Sequence, residues 1–233
     1  MKVAIIPARG GSKRIPHKNI REFLGKPIIT YPIELAIGSG IFDRVIVSTD
    51  DEQIAEVAQM SGAEVPFVRP KNFSDDQTGT GEVVAHAIEW LSDSGCELSA
   101  VCCIYATAVF LREKDLRLGL EIIENESWNY VFSAASFPSA IFRAFYKNST
   151  GGLDMYFPER YDTRSQDLPG ALHDAAQFYW GHPGAWCNRT EVFGKDSTVV
   201  IVPRWRVQDI DTLEDWQQAE VTYKVLQDLQ RRG

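Results

Sequence analysis

Residues 2–19 read KVAIIPARGGSKRIPHKN, and this stretch sets the fold class. In its opening strand-like residues 2–6, positions 3–6 are apolar without alternation, the pattern of a strand buried on both faces. Gly10 and Gly11 follow almost at once. Paired glycines let a backbone approach an anion and aim N–H groups at it. Arg9 and Lys18 can neutralise phosphate charge, and Ser12 offers a hydroxyl. No Asp or Glu precedes Glu22, whereas Lys2, Arg9, Lys13, Arg14, Lys18 and Arg21 all do. The segment matches neither the GxGxxG dinucleotide fingerprint nor the GxxxxGK[ST] loop. It predicts a basic phosphate-holding loop after a first buried strand. A solvated basic turn is the plainer alternative, and the density of cations directly after a strand end weighs against it.

Outward from this loop, strand-like and helix-like patterns alternate. Strands are predicted at 2–6, 44–48, 64–68, 99–105 and 129–136, with helices at 28–38, 51–61, 80–93 and 112–125. Such alternation implies crossover units: an α/β fold with three layers and a mostly parallel sheet between helices. The rhythm changes after residue 137. Segments 141–147 and 153–157 flank Asn148-Ser149-Thr150-Gly151-Gly152, a small β-hairpin signal. A polar, irregular stretch runs from Pro158 to Gly170. Strands at 176–180 and 198–202 and a helix at about 212–231 complete the chain. The expected organisation is one domain over 1–233, with a hairpin insertion at about 138–170 that covers the site or pairs with a second subunit.

The 233 residues are 44% hydrophobic, enough for a sizeable core. A net charge of -8 argues against general affinity for nucleic acid, and cations focused at the N-terminal end suit a small anionic ligand better than a polymer. The first apolar run is too short for a signal peptide or a spanning helix, and no later run crosses a bilayer, so a cytoplasmic protein without membrane partners is expected. Cys96, Cys102, Cys103 and Cys187 lack metal-ligand spacing and read as reduced thiols. His17, His86, His173 and His182 show no metal-ligand spacing either.

Two further segments fall where an open parallel sheet binds its ligands, beyond the carboxyl ends of its strands. Ser48-Thr49-Asp50 ends the second strand. Its plain role is capping the helix at 51–61 through Thr49 or Asp50; Asp50 could otherwise meet a ribose hydroxyl or act at a distance on a metal. Asp209-Ile210-Asp211-Thr212 precedes the last helix. Alternation along an extended segment puts both carboxylates on one side and Ile210 in the core. Two carboxylates opposite a phosphate loop suit Mg²⁺ shared with substrate phosphates. The plain alternative is that Asp211 caps the helix and Asp209 is simply exposed.

IPARGGSKRIPHKN at the first loop, VIVSTD at the second strand and DIDT before the last helix together resemble the sialic acid cytidylyltransferases, with spacing that agrees over nearly the full chain. IYATA at 104–108, FRAF at 142–145, YFPERYDTRSQ at 156–166 and DAAQFYWG at 174–181 look like the branch acting on pseudaminic acid. The resemblance implies a Rossmann-like fold of the nucleotide-diphospho-sugar transferase type. It also implies a reaction: the anomeric hydroxyl of a nine-carbon 2-keto acid attacks the α-phosphate of CTP, with Mg²⁺ required and pyrophosphate leaving. Carried onto this chain, Arg9, Gly10, Gly11, Ser12, Lys18 and Asn19 hold the nucleotide, with Arg69 and Thr80 near cytosine and ribose. Asp209 and Asp211 bind Mg²⁺, and Arg9, Lys18 and Asp211 act in catalysis. Tyr105, Arg143, Arg164, Gln166, Gln177 and Tyr179 face the sugar acid. Either Asp211 accepts the anomeric proton, or metal coordination lowers the pKa of that hydroxyl. The family also implies a homodimer joined through 138–170. This chain departs from the family pattern at Val109, commonly proline, and Ala176, commonly glycine; each predicts a local shift of the pocket.

Overall fold

The computed structural model describes residues 1–75 and 78–232. Its strands are β1 (Lys2–Pro7), β2 (Glu22–Phe23), β3 (Lys26–Pro27), β4 (Arg44–Ser48), β5 (Ala100–Ile104), β6 (Tyr130–Ser136), β7 (Phe145–Lys147), β8 (Leu153–Met155), β9 (Leu172–Gly181) and β10 (Ser197–Ile201). Its helices are α1 (Thr30–Gly38), α2 (Glu52–Met60), α3 (Thr80–Asp93), α4 (Glu113–Asn125), α5 (Pro183–Cys187) and α6 (Leu213–Arg232). The main sheet runs in the order β10-β6-β9-β5-β1-β4. β1 pairs parallel with β4 and β5, and β10 with β6, while β9 runs antiparallel between β5 and β6. The mostly parallel sheet is therefore as expected, with one reversed strand inside it.

Alternation along β1 explains the three layers. Ala4 and Ile6 pack on one side with Ile33 of α1, Ile54 of α2 and Leu116 of α4. Val3 and Ile5 pack on the other with Val84 and Ile88 of α3 and Trp186 of α5. Successive strand side chains point to opposite faces, so a run without polar alternation must be covered on both. α4 lies flat on β9 because Gly119 allows it: a Cβ there would approach Trp180 Cδ1 to 2.7 Å. A third cluster seals α6 over the β2–β3 ribbon through Ile15, Phe23, Val109, Ile210 and Trp216. Among the described residues, no helix is long and apolar enough to cross a membrane.

Several expected elements differ. Residues 64–68 do not form a strand; only isolated bridges from Glu64 to Ile46 and from Val68 to Thr49 occur. Pro66 lies between them and has no N–H to donate, which breaks the ladder in the middle. In the insertion, β7 and β8 are shorter than predicted, and Ile141–Arg143 is a 3₁₀ turn. Strand β9 begins at Leu172 rather than 176, and α5 has no counterpart in the sequence pattern.

β9 also carries a bulge. Phe132 pairs with Tyr179 but Ala134 with Asp174, so two steps along β6 match five along β9. Ser133 Oγ accepts the displaced amides of Gln177 and Phe178 at 3.2 and 3.3 Å. Ala176 takes φ 51° there, a left-handed conformation that costs a residue with a Cβ. This explains why glycine suits the position. Val109 is buried beneath α6.

Candidate active site

The carboxyl ends of β1, β4 and β5 open on one edge of the sheet, and the loop after β1 crosses it. The loop is fixed by tertiary contacts. Gly10 donates its N–H to Asp50 Oδ1 at 3.1 Å and Ser12 its N–H to the Gly10 carbonyl at 2.9 Å. The Gly10 and Ser12 amides are thus already used, and the positive character of the cleft comes chiefly from side chains. Gly10 is required by proximity: a Cβ would run into the Asp51 carboxylate and lie 2.9 Å from Asp51 Cβ. Asn19, buried, donates from Nδ2 to the Arg9 carbonyl at 3.0 Å and holds the two arms of the loop together.

Asp51, rather than Thr49 or Asp50, caps α2: its Oδ1 accepts the Ile54 amide at 3.0 Å. Thr49 Oγ1 accepts the Asp51 amide at 3.2 Å. Asp50 is thereby released to hold Gly10 and the buried Arg69, whose Nη2 lies 3.5 Å away. Burial pulls the Arg69 guanidinium below its ordinary pKa, and Asp50 opposes this.

Arg9, Lys18, Asn19, Arg69, Thr80 and Tyr105 line one cleft of about 280 Å³, walled by Phe73. An adjoining cleft of about 290 Å³ is lined by Ser12, Lys13 and Arg14 together with Arg9, Lys18 and Asn19. The predicted nucleotide residues therefore come together, apart from the more peripheral Gly10 and Gly11.

Asp209-Ile210-Asp211 meets the loop from the other side. Ile210 is fully buried, as alternation requires. Lys18 Nζ donates to the Ile210 carbonyl at 2.7 Å and lies 3.4 Å from Asp211 Oδ1. Arg14 Nη2 reaches the same oxygen at 2.7 Å. Asp211 does not cap α6. Thr212 and Asp215 do so reciprocally: Thr212 Oγ1 accepts the Asp215 amide at 3.2 Å, and Asp215 Oδ2 accepts the Thr212 amide at 2.7 Å. Crowding by the protein and the neighbouring Asp211 charge hold the Asp209 carboxyl above the usual carboxylate range, against the pull of Lys18. The segment is anchored from behind by the buried pair Arg206–Asp115 at 2.6 Å. Among the described residues no group of three or more His, Cys, Asp or Glu side chains is arranged to hold a metal. Two neighbouring carboxylates facing a cationic loop suit a hard cation that completes its oxygen shell from phosphates and water.

Tyr105 and Tyr179 stand side by side, ring centroids 5.3 Å apart. Tyr105 Oη lies 3.5 Å from Thr80 Oγ1, and Tyr179 donates to Asp174. Burial pushes both phenols above their ordinary pKa, so both stay protonated near neutrality. They share with Asp174, Trp186 and Phe193 a second hollow of about 160 Å³ next to the first cleft. Gln177 is buried; its Nε2 donates to the Arg206 carbonyl at 2.6 Å, and its Oε1 has no hydrogen-bond partner among the described residues. Arg143, Arg164 and Gln166 are exposed on the insertion and line none of these hollows. Arg143 instead donates to the Tyr161 carbonyl at 3.1 Å and pins the insertion to itself. Arg14 and Asp174 are among the site residues not singled out from sequence. Arg14 lay within the basic stretch, and Asp174 opened the DAAQFYWG segment; only their spatial partners distinguish them.

Comparison with known proteins places the chain in a family. A Campylobacter jejuni pseudaminic acid cytidylyltransferase is 49% identical over 224 residues, 96% of each chain. A Danio rerio N-acylneuraminate cytidylyltransferase B is 31% identical over 222 residues, 94% of this chain and 50% of that one. A solved CMP:2-keto-3-deoxy-manno-octonic acid synthetase complexed with CTP superposes with a TM-score of 0.69 at 16% identity, covering 94% of this chain and 97% of the other, which establishes the shared fold. The cytidylyltransferase family model matches residues 3–224, and the chain is an enzyme belonging to that family.

Proposed function

We propose that this enzyme transfers CMP from CTP to the anomeric hydroxyl of pseudaminic acid, a nine-carbon 2-keto sugar acid, and releases pyrophosphate. The observation that carries this is the junction made by Lys18, which ties the phosphate loop to the Asp209–Asp211 segment through the Ile210 carbonyl at 2.7 Å. A triphosphate loop and a carboxylate pair joined in this way suit nucleotidyl transfer. The acceptor rests on similarity: 49% identity to the pseudaminate enzyme, against 31% to the N-acylneuraminate enzyme.

In this reading Arg9, Ser12, Lys18 and Asn19 hold the triphosphate, and Arg69 and Thr80 flank cytosine and ribose. Asp209 and Asp211 hold Mg²⁺, which when bound supplies charge neutralisation at the phosphates. The anomeric oxygen bonds to the α-phosphorus, the bond to pyrophosphate breaks, and the hydroxyl proton passes to Asp211 or to solvent. Both substrates are anions, so the task of the chain is positioning and charge compensation rather than covalent attack. Arg9 and Lys18 offset the phosphate charge, and Tyr105 and Tyr179 present neutral hydroxyls to the acceptor. Gln177 backs the two tyrosines, while Arg143, Arg164 and Gln166 serve the acid from the insertion.

The hairpin exposes Phe145, Leu153 and Tyr156, which fits a contact between two copies of the chain. A cytoplasmic setting fits the buried thiols of Cys102 and Cys103, neither in a disulfide. The test is paired turnover with CTP, Mg²⁺ and each of pseudaminic acid and N-acetylneuraminic acid, read as pyrophosphate release. Preference for pseudaminic acid is expected; preference for N-acetylneuraminic acid removes the proposed acceptor, and no release with any acid removes the activity. Light scattering of the eluted protein at twice the monomer mass supports the dimer.

A further inference from the structure

Asp211 is claimed twice. Its Oδ1 takes the Arg14 guanidinium at 2.7 Å and the Lys18 ammonium at 3.4 Å. The two cations differ in how they are held. The Lys18 side chain is 21% exposed and is also tied to the Ile210 carbonyl, so it is part of the floor. The Arg14 side chain is 66% exposed and stands on the loop, where it lines the same cleft as Arg9, Ser12 and Lys18. Arg14 thus faces two alternatives, the carboxylate of Asp211 or an anion in the cleft.

We propose that Arg14 is a positioning residue that occupies the Asp211 carboxylate until a nucleoside triphosphate draws it away, so that nucleotide and divalent cation bind together. This rests on the triphosphate–metal reading of the site. A cation arriving at Asp211 alone must displace a guanidinium from Oδ1 and then lie beside its positive charge. Once phosphates occupy the cleft, the guanidinium has an anion of higher charge and matching fork geometry. The ion pair is exposed and screened, so it is weak enough to exchange without slowing turnover. Competition by an anion in the cleft opens the latch. The carboxylate is thereby kept from binding a metal ion in an orientation that no nucleotide has set.

The experiment is titration of the full chain with Mn²⁺, read by the loss of the free-ion electron paramagnetic resonance signal. It is run with and without CTP, without acceptor, for wild type, Arg14→Ala and Arg14→Lys. Wild type is expected to take up Mn²⁺ weakly alone and more tightly with CTP present, beyond the uptake by CTP itself. Arg14→Ala is expected to tighten nucleotide-free Mn²⁺ binding by roughly fivefold and to shrink the gain from CTP by a similar factor, in line with an exposed ion pair. Arg14→Lys is expected to restore much of the wild-type pattern. A merely structural role predicts weaker metal binding in Arg14→Ala, and that result, or an unchanged affinity, overturns the latch. If wild type shows no CTP-dependent Mn²⁺ uptake, the triphosphate–metal site itself is wrong and the inference falls with it.

Discussion

The loop after β1 and the insertion at 138–170 are both polar and rich in turns, yet they are built in opposite ways. The loop is held by distant parts of the chain: Gly10 by Asp50, Asn19 by the Arg9 carbonyl and Lys18 by the Ile210 carbonyl. The insertion holds mainly itself, as Arg143 does through the Tyr161 carbonyl, and leaves Phe145, Leu153 and Tyr156 exposed. The difference teaches that the proposed nucleotide half of the site is pre-organised within one chain. The charged residues proposed for the acceptor sit on an element whose strands β7 and β8 lie outside the main sheet. Binding sites carried on a rigid scaffold lose less freedom when a ligand arrives.

The largest expected effect tests the pre-organised half. Asp211→Asn should lower turnover by about 10³-fold or more while CTP still binds in the absence of metal, measured by pyrophosphate release and nucleotide titration. Unchanged turnover would take Asp211 out of the site. Next, Gly10→Ala must displace Asp51 from the N-cap of α2. We expect a loss of about 2 kcal/mol in denaturant unfolding together with weaker CTP binding. A neutral result would mean that the loop is not braced as described. The insertion should answer differently. Arg143→Ala is expected to raise KM for the sugar acid about tenfold with little change in KM for CTP, since it touches neither cleft. Equal effects on both constants would erase the contrast between the two regions. Smallest is Ala176→Gly in the β9 bulge, which should gain about 1 kcal/mol in unfolding free energy by relieving a left-handed alanine.

Much of the fold was legible because it rests on local periodicity. The apolar run at 2–6, the stripe of Val83, Val84, Ala87, Ile88 and Leu91, and the strand at residues 100–104 each follow a repeat visible in a short window. Segment 64–68 misled because its side chains suit a strand while Pro66 cannot join the ladder. Within the site, Arg9, Lys18, Arg69 and Thr80 were expected together and do share a cleft. Arg143, Arg164 and Gln166 were expected to face the sugar acid; they stand exposed on a turn-rich segment whose strands lie outside the main sheet, and they line no part of that cleft.

By itself, the sequence determined the layered α/β class, the basic loop and the carboxylate pair, because strand burial, turn chemistry and charge density are written in neighbouring residues. Tertiary structure alone decided that Asp51 caps α2 and leaves Asp50 to hold the loop. It also decided that Thr212 and Asp215 cap α6 and leave Asp211 to Arg14 and Lys18. A carboxylate has several partners within reach in sequence, and which one it takes depends on where the fold brings cations and unpaired amides, nearly 200 positions away in the case of Lys18 and Asp211.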